Sequence, residues 1–123
     1  MAIRVQEYVR EDGSTPFKEW FDGLGPAAAA KVAAAQVRLT QGNTSNVKWF
    51  SGLGEYVIDW GPGYRIYLAR DGERLIILFG GGTKRGQQRD IERAKELLAE
   101  YKARKAKQKR DKPADEQGRR RKG

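Results

Sequence analysis

The chain of 123 residues contains no histidine and no cysteine. Without cysteine, disulfides and thiolate catalysis are excluded. Without histidine, a transition-metal site would depend on carboxylates alone, so we expect neither a metal nor a cofactor. No apolar run approaches the length of a membrane span, and the first residues lack the apolar core of a signal peptide. The sequence therefore predicts a cytoplasmic protein without a membrane partner.

The positive charge of the chain is concentrated at its end. Residues 102–123 carry 11 of the 25 Lys and Arg residues and only 3 of the 16 acidic residues, whereas the net charge of the chain is +9. This segment has no apolar side chain larger than alanine, so it cannot offset the entropy lost on ordering. We predict a nearly neutral domain at residues 1–101, then a frayed helix end and a disordered basic tail at residues 102–123. The tail either binds polyanions weakly or only improves solubility.

The first half of the chain predicts a strand and two helices. Polar and apolar residues alternate over residues 3–9, as in a half-buried strand. Thr15 and Pro16 are typical of a helix start, and apolar side chains follow at helical spacing from Phe17. A second, alanine-rich helix begins after Gly25 and ends near Gly42. The two helices predict a hairpin that lies across a sheet.

The second half predicts three strands and a helix. Residues 54–60 and 64–69 are joined by the turn 61–63, and Asp71-Gly72 leads into an apolar strand at residues 73–80. A last helix has the buried stripe Ile91, Ala94, Leu98 and Tyr101. The sequence therefore predicts an α+β domain with a small antiparallel sheet, ordered as strand, helical hairpin, three-strand meander and C-terminal helix.

Strand alternation places Arg65 on the face opposite Ile66. If the helical hairpin covers the apolar face, the other face stays open and presents Glu55, Val57, Asp59, Arg65 and Tyr67. On that face Arg65 either forms an ordinary ion pair with Asp59 or Glu55, or belongs to a functional site.

The glycine-rich segment GGGTK, at residues 80–84, precedes the last helix. It does not match the phosphate-binding loop of nucleotide hydrolases, because threonine stands before Lys84 where that loop has glycine. Glycines, a lysine and a helix N-terminus together favour an anion. The alternative is a plain helix-entry loop with a solvated lysine.

Two segments resemble the signature of one family. WGPGYRIYLA, at residues 60–69, and LFGGGTKRGQQRDIERAKELL, at residues 78–98, are similar to the motifs of RelE/ParE-type toxins from bacterial toxin–antitoxin modules. The subgroup with the greatest similarity is the phage-related, HigB-like addiction-module killer proteins. The likeness covers residues 3–101 and includes PFKEWFDGL in the N-terminal part.

The resemblance implies a RelE-like toxin fold, with helices on one side of the sheet and a concave charged face on the other. It implies a ribosome-dependent mRNA endoribonuclease, or mRNA interferase, that inhibits translation. The implied partners are the ribosome with its mRNA, a helix-turn-helix antitoxin and, through the antitoxin complex, operator DNA. The implied site residues are Lys48, Arg65, Tyr67 and Lys84 for catalysis and Arg85, Gln87 and Arg89 for RNA binding.

Cleavage of RNA by its own 2′-hydroxyl requires a base, an acid and a group that stabilises the anionic phosphorane. We assign the phosphorane to Arg65 and the proton transfers to Lys48 and Lys84, in an open order. Tyr67 either relays a proton or stacks on a base. Glu55 or Asp59 is a reserve base, and Asp90 is structural, because a negative charge suits the start of a helix.

The chain departs from the family at two positions. Val57 stands where relatives commonly have arginine, and Thr83 stands where they have an acidic residue. The loss of one cation weakens the nuclease interpretation. Two alternatives therefore stay open: a ParE-like toxin that inhibits DNA gyrase without cutting RNA, and an inactive relative that only binds its antitoxin.

Overall fold

The structure is a computed structural model that describes residues 2–110, so the predicted tail beyond residue 110 lies outside the described residues. The helices and strands follow one another as β1 (Arg4–Glu7), α1 (Pro16–Asp22), α2 (Pro26–Thr40), β2 (Val47–Phe50), β3 (Leu53–Ile58), β4 (Tyr64–Arg70), β5 (Leu75–Thr83) and α3 (Gln87–Arg110). A short 3-10 helix, Lys84–Gly86, joins β5 to α3. The predicted α+β class is confirmed.

The five strands form one mixed sheet in the order β1-β5-β4-β3-β2. The strands β2 to β5 pair antiparallel, but β1 runs parallel to β5. The prediction of a wholly antiparallel sheet is therefore wrong. Only a tight hairpin forces neighbouring strands to be antiparallel, and the long segment between β1 and β5, residues 8–74, permits the parallel arrangement.

Strand β2 is a short edge strand that the sequence did not predict. It pairs with β3, and Lys48 lies directly opposite Glu55. Lys48 and Trp49 are both exposed, so the alternation of polar and apolar residues that identifies a half-buried strand is absent here.

The helices α1 and α2 cover one face of the sheet, as predicted. Helix α1 begins at Pro16 after Thr15, and α2 begins at Pro26 after Gly25, so both starts are confirmed. Under these helices lies a first core, which includes Phe17, Val32, Leu39, Tyr56, Ile66, Leu68, Ile76 and Leu78.

Helix α3 covers the other face of the sheet, so the prediction of an open face is wrong. Ala94, Leu97 and Leu98 of α3 are buried there. They contact a second core whose sheet residues include Leu53, Tyr67, Ala69, Ile77 and Phe79. The physical reason lies in β5, whose side chains are apolar on both faces and need two covering layers. Each fully buried leucine contributes about 1.5–3 kcal/mol.

Charged groups connect the C-terminal half of α3 to residues 8–10. Glu100 accepts hydrogen bonds from Tyr8 Oη, at 2.7 Å, and from Arg10 Nη2, at 2.8 Å. Arg104 donates to the Val9 carbonyl at 2.9 Å. Helix α3 continues to Arg110, past the domain boundary predicted at residue 101, so residues 102–110 extend the helix that covers the sheet.

Candidate functional site

The carbonyl oxygen of Gly63 joins the two segments that carry the family resemblance. It accepts hydrogen bonds from Arg65 Nη1, at 2.7 Å, and from the backbone N–H of Lys84, at 2.9 Å. Gly63 has a φ of +78°, in the region that favours glycine. A methyl group at this position would lie 3.0 Å from Arg65 Nη1 and 3.5 Å from Lys84 Cβ. The turn at residues 61–63 therefore places the backbone of Lys84 beside the guanidinium group of Arg65.

The side chain of Arg65 is only 12% exposed, because α3 and the 3-10 helix cover its strand face. Its Nε lies 3.5 Å from Glu55 Oε2 and is buried without a hydrogen-bond partner. Of the two ion pairs that the sequence left open, the structure has the one with Glu55, and Asp59 is exposed. A buried N–H without a hydrogen-bond partner is unfavourable, and the charge of the nearby Glu55 carboxylate offsets part of this cost.

Glu55 is the buried acceptor at the centre of the site, with 2% exposure. Its Oε2 accepts from Gln87 Nε2, at 2.7 Å, and from Tyr67 Oη, at 3.2 Å. These contacts connect β3, β4 and the first turn of α3. A carboxylate in this position holds its neighbours in place and is not free to serve as the reserve base of the prediction.

Tyr67 is 1% exposed, so the prediction that its ring lies on an open face and stacks on a base is wrong. Burial raises the pKa of the Tyr67 phenol well above its usual value of 10.0, and the negative charge of Glu55 raises it further. The phenol therefore stays protonated and donates a hydrogen bond to Glu55. Any role of Tyr67 in a proton relay would require the cluster to open.

The two lysines of the predicted site lie at its exposed rim. Lys48 is exposed on β2, opposite Glu55 in the strand register, and Lys84 is exposed in the 3-10 helix. Val57, the departure from the family, lies directly opposite Arg65. A cation at that position would stand next to the guanidinium, so its absence leaves the site with the three cations Lys48, Arg65 and Lys84.

The glycine triplet of β5 allows close packing on both faces of the strand. A methyl group at Gly81 would lie 2.5 Å from the Trp20 ring, and one at Gly82 would lie 2.0 Å from Asp90 Oδ2. Asp90 lies in the first turn of α3, and burial raises the pKa of its carboxyl group. Its contact with the backbone of Gly82 fits the structural role that we predicted for it.

The predicted RNA-binding residues divide into two groups. Arg85 and Arg89 are exposed beside a cleft that Trp20, Gly81 and Gly82 help to line. Gln87 is instead turned to Glu55 and helps to hold the start of α3. Sequence reasoning missed this central position of Glu55, although a lone carboxylate within the otherwise uncharged strand LGEYVI was a signal for it.

The ligand chemistry that suits this site is that of an anion. Within residues 2–110 no three His, Cys, Asp or Glu side chains are close enough to hold a metal ion. Arg65, near the start of β4, and Lys84, just after the end of β5, instead offer guanidinium and ammonium donors, which suit a phosphate. Over the same residues, no helix is long and apolar enough to cross a membrane.

The chain is an α+β protein with a five-stranded mixed sheet and helices on both faces. Its candidate site has cationic side chains near the start of β4 and just after the end of β5. The chain is 41% identical over 86 residues to an uncharacterized protein of Haemophilus influenzae (strain ATCC 51907 / DSM 11121 / KW20 / Rd). The match covers 68% of this chain and 87% of the relative, so the chain belongs to the same family as that protein. No family model matches the chain. No solved structure matches it.

Proposed function

We propose that the protein is a RelE/ParE-type toxin of the HigB-like subgroup, from a type II toxin–antitoxin module. Its activity in this proposal is cleavage of mRNA on the ribosome, without a metal, in the cytoplasm. The observation that carries the proposal is the double hydrogen bond to Gly63, because it brings Arg65 and Lys84 together from the two motifs that resemble the family.

In the proposed reaction the 2′-oxygen of a ribose attacks the adjacent phosphorus, and the bond from phosphorus to the 5′-oxygen breaks. The 2′-hydroxyl loses its proton to a base, and the leaving 5′-oxygen receives one from an acid. Arg65, whose side chain keeps 12% exposure, stabilises the phosphorane with charge-assisted hydrogen bonds. Lys48 and Lys84 serve as base and acid in an order that stays open, and Glu55 orients Arg65.

The ribosome positions the substrate in this proposal. The charge excess of the chain lies at residues 102–123, so the domain at residues 1–101 is nearly neutral and generates little long-range attraction for RNA. Holding the mRNA in place on the ribosome supplies the orientation that the isolated site lacks. A helix-turn-helix antitoxin neutralises the toxin, and the pair binds its own operator DNA.

Replacement of Arg65 by alanine tests the proposal. We expect induced expression of the wild type to arrest growth and shorten mRNA within minutes, and Arg65→Ala to abolish both effects at equal protein level. Arg70→Ala is the matched control, because Arg70 is an exposed arginine at the end of the same strand. Growth arrest by Arg65→Ala that equals the wild-type effect contradicts the assignment.

A second candidate function is inhibition of DNA gyrase by a ParE-like mode. Two observations favour it: Val57 removes a cation from the position opposite Arg65, and Tyr67 and Glu55 are buried beneath α3. This function predicts DNA breaks and filamentous cells on induction, with intact mRNA. Normal growth on induction of the wild type would instead identify an inactive, antitoxin-binding relative.

A further inference from the structure

A groove runs along the outer edge of β5, beyond the point where β1 ceases to pair with it. Strand β1 pairs only with residues 75–78 of β5, so the glycines that follow are not covered by β1. Two adjoining clefts of about 350 and 670 Å³ lie here, and both are lined by Trp20, Gly81 and Asp90. Each volume is within the range of sites that bind small organic groups, such as a nucleotide.

One wall of the groove is positively charged. Arg89 and Arg93 line it from α3, and Arg85 lines it from the preceding 3-10 helix. All three are exposed. Residues four apart in a helix lie on the same side and about 6 Å apart along its axis. Arg89 and Arg93 therefore follow one another along α3 at a spacing of about one helical turn, and Arg85 precedes them in the 3-10 helix.

Two acidic groups also line the groove. Glu19 is exposed on the α1 wall, and Asp90 lies at the floor against Gly82. Burial raises the pKa of Asp90 above its usual value. The three arginines outnumber these two carboxylates, so the groove carries an excess of positive charge.

The groove adjoins the candidate site. Gly82, in its floor, pairs directly with Arg65 in the strand register. Lys84 follows in the chain and is held beside Arg65 by Gly63. A polymer bound at Arg65 and Lys84 can therefore continue past Arg85 into the groove.

We propose that this groove binds the single-stranded RNA that flanks the scissile phosphate, with Arg89 and Arg93 on successive phosphates. The proposal rests on the proposed function, since that function supplies the RNA. Repeating guanidinium groups suit a chain with one negative charge per nucleotide. An acidic peptide strand added to the free edge of β5 is the competing occupant, but it would need carboxylates at the same repeat.

The first test removes two charges from the groove. The double variant Arg89→Gln/Arg93→Gln is compared with Arg38→Gln/Arg74→Gln, which removes two exposed arginines on other surfaces. The probe is a short fluorescent oligouridylate bound to the full-length chain, at about 50 and about 200 mM salt. We expect the groove variant to weaken binding roughly tenfold at the lower salt and to reduce the log–log salt slope by roughly 0.7 for each lost contact.

A second test fills the groove without removing an arginine. Gly80 lines it, and a Cβ atom there would meet nothing within 4 Å, so a new side chain at this position does not disturb the core. We expect Gly80→Glu to weaken RNA binding as strongly as the double arginine variant, because it adds bulk and a negative charge. Gly25→Glu is the control and should bind as the wild type does, because Gly25 is exposed outside the groove and a Cβ atom there also meets nothing within 4 Å.

Equal weakening by the groove and control pairs would overturn the proposal, because it would indicate non-specific attraction. Unchanged RNA binding by the groove variants, with loss of antitoxin binding, would overturn it in favour of a peptide strand. The Arg65→Ala variant separates the two proposals. If neither it nor the wild type affects growth or mRNA, the proposed function fails. A groove-specific loss of RNA affinity would then still support the groove as an RNA-binding surface.

Discussion

Gln87 Nε2 donates a 2.7 Å hydrogen bond to Glu55 Oε2, which joins the first turn of α3 to strand β3. The same oxygen accepts from Tyr67 and lies 3.5 Å from Arg65 Nε. One buried carboxylate therefore fixes both the position of the helix start and the orientation of the guanidinium. The stability of α3 and the geometry of the candidate site depend on the same atom.

Replacement of Glu55 by glutamine keeps the size of the side chain but removes its charge. We expect the free energy of unfolding to fall by about 1–3 kcal/mol, because the buried donors around it lose a charged acceptor. Urea denaturation measures this change. Glu96→Gln is the control: Glu96 is exposed on α3, so its replacement should change stability by less than about 0.5 kcal/mol. An equal effect of both variants would contradict the central position of Glu55.

Asp71 should make stability depend on pH in the acidic range. Hydrogen bonds from Lys105 and Tyr101 lower the pKa of the Asp71 carboxyl group from its usual value of 3.8. A lowered pKa contributes stability at higher pH, and the contribution is lost as the pH falls below 3.8. We expect Asp71→Asn to cost about 0.5–1 kcal/mol at neutral pH, since the Lys105 ammonium is partly exposed.

The measurement for Asp71 is thermal unfolding of both proteins between neutral and acidic pH. Glu100 also has a lowered pKa, so the wild type loses stability in acid for more than one reason. The difference between wild type and Asp71→Asn isolates the contribution of Asp71. This difference should shrink as the pH falls, and a difference that grows in acid would refute the assignment.

Neighbouring glycines of β5 should respond differently to alanine. A Cβ atom at Gly81 would lie 2.5 Å from the Trp20 ring, whereas one at Gly80 would meet nothing within 4 Å. We expect Gly81→Ala to destabilise the protein by about 1–3 kcal/mol through overpacking. Gly80→Ala should be neutral or slightly stabilising, because it reduces the freedom of the unfolded chain. Equal midpoints of urea unfolding for the two variants would show that the Trp20 ring moves aside without a loss of stability.

Restoration of the family arginine tests the importance of Val57. Val57 lies opposite Arg65 at the edge of the site, so Val57→Arg places a second guanidinium next to the first. Under the nuclease proposal we expect faster cleavage of ribosome-bound mRNA and stronger growth arrest, because the phosphorane gains a donor. Val57→Gln controls for the polar change alone. Equal cleavage by all three proteins would show that this position does not act on RNA.

Much of the fold was predictable because its signals are local. The starts of α1 and α2 follow from Pro16 and Pro26, and the strand turns follow from Gly63 and Gly72. The parallel pairing of β1 was not predictable in this way, because its partner lies about half the chain away. The covering of the second face by α3 was predictable from β5, because its apolar residues on both faces require burial on both sides.

The candidate site was predictable in part for the same reason. Arg65 and Lys84 were singled out through the resemblance, and in the structure the Gly63 carbonyl joins the Arg65 side chain to the backbone of Lys84. The burial of Glu55 was not predictable, because it depends on Gln87, which lies 32 residues later in the chain. Contacts of this kind depend on tertiary packing, which the alternation of residues within one strand does not encode.

The pairing of β1 with β5 also orders the events of folding. Strand β1 is synthesised first, but its partner β5 is the last strand of the sheet. Tyr8 and Arg10 form their contacts with Glu100 only after α3 has been synthesised. Contacts between such distant segments form late, because closing a long loop is entropically unfavourable. A nascent chain therefore holds an incomplete sheet until β5 has been synthesised, and one face of the sheet stays uncovered until α3 follows. Arg65 lacks its final surroundings for most of synthesis.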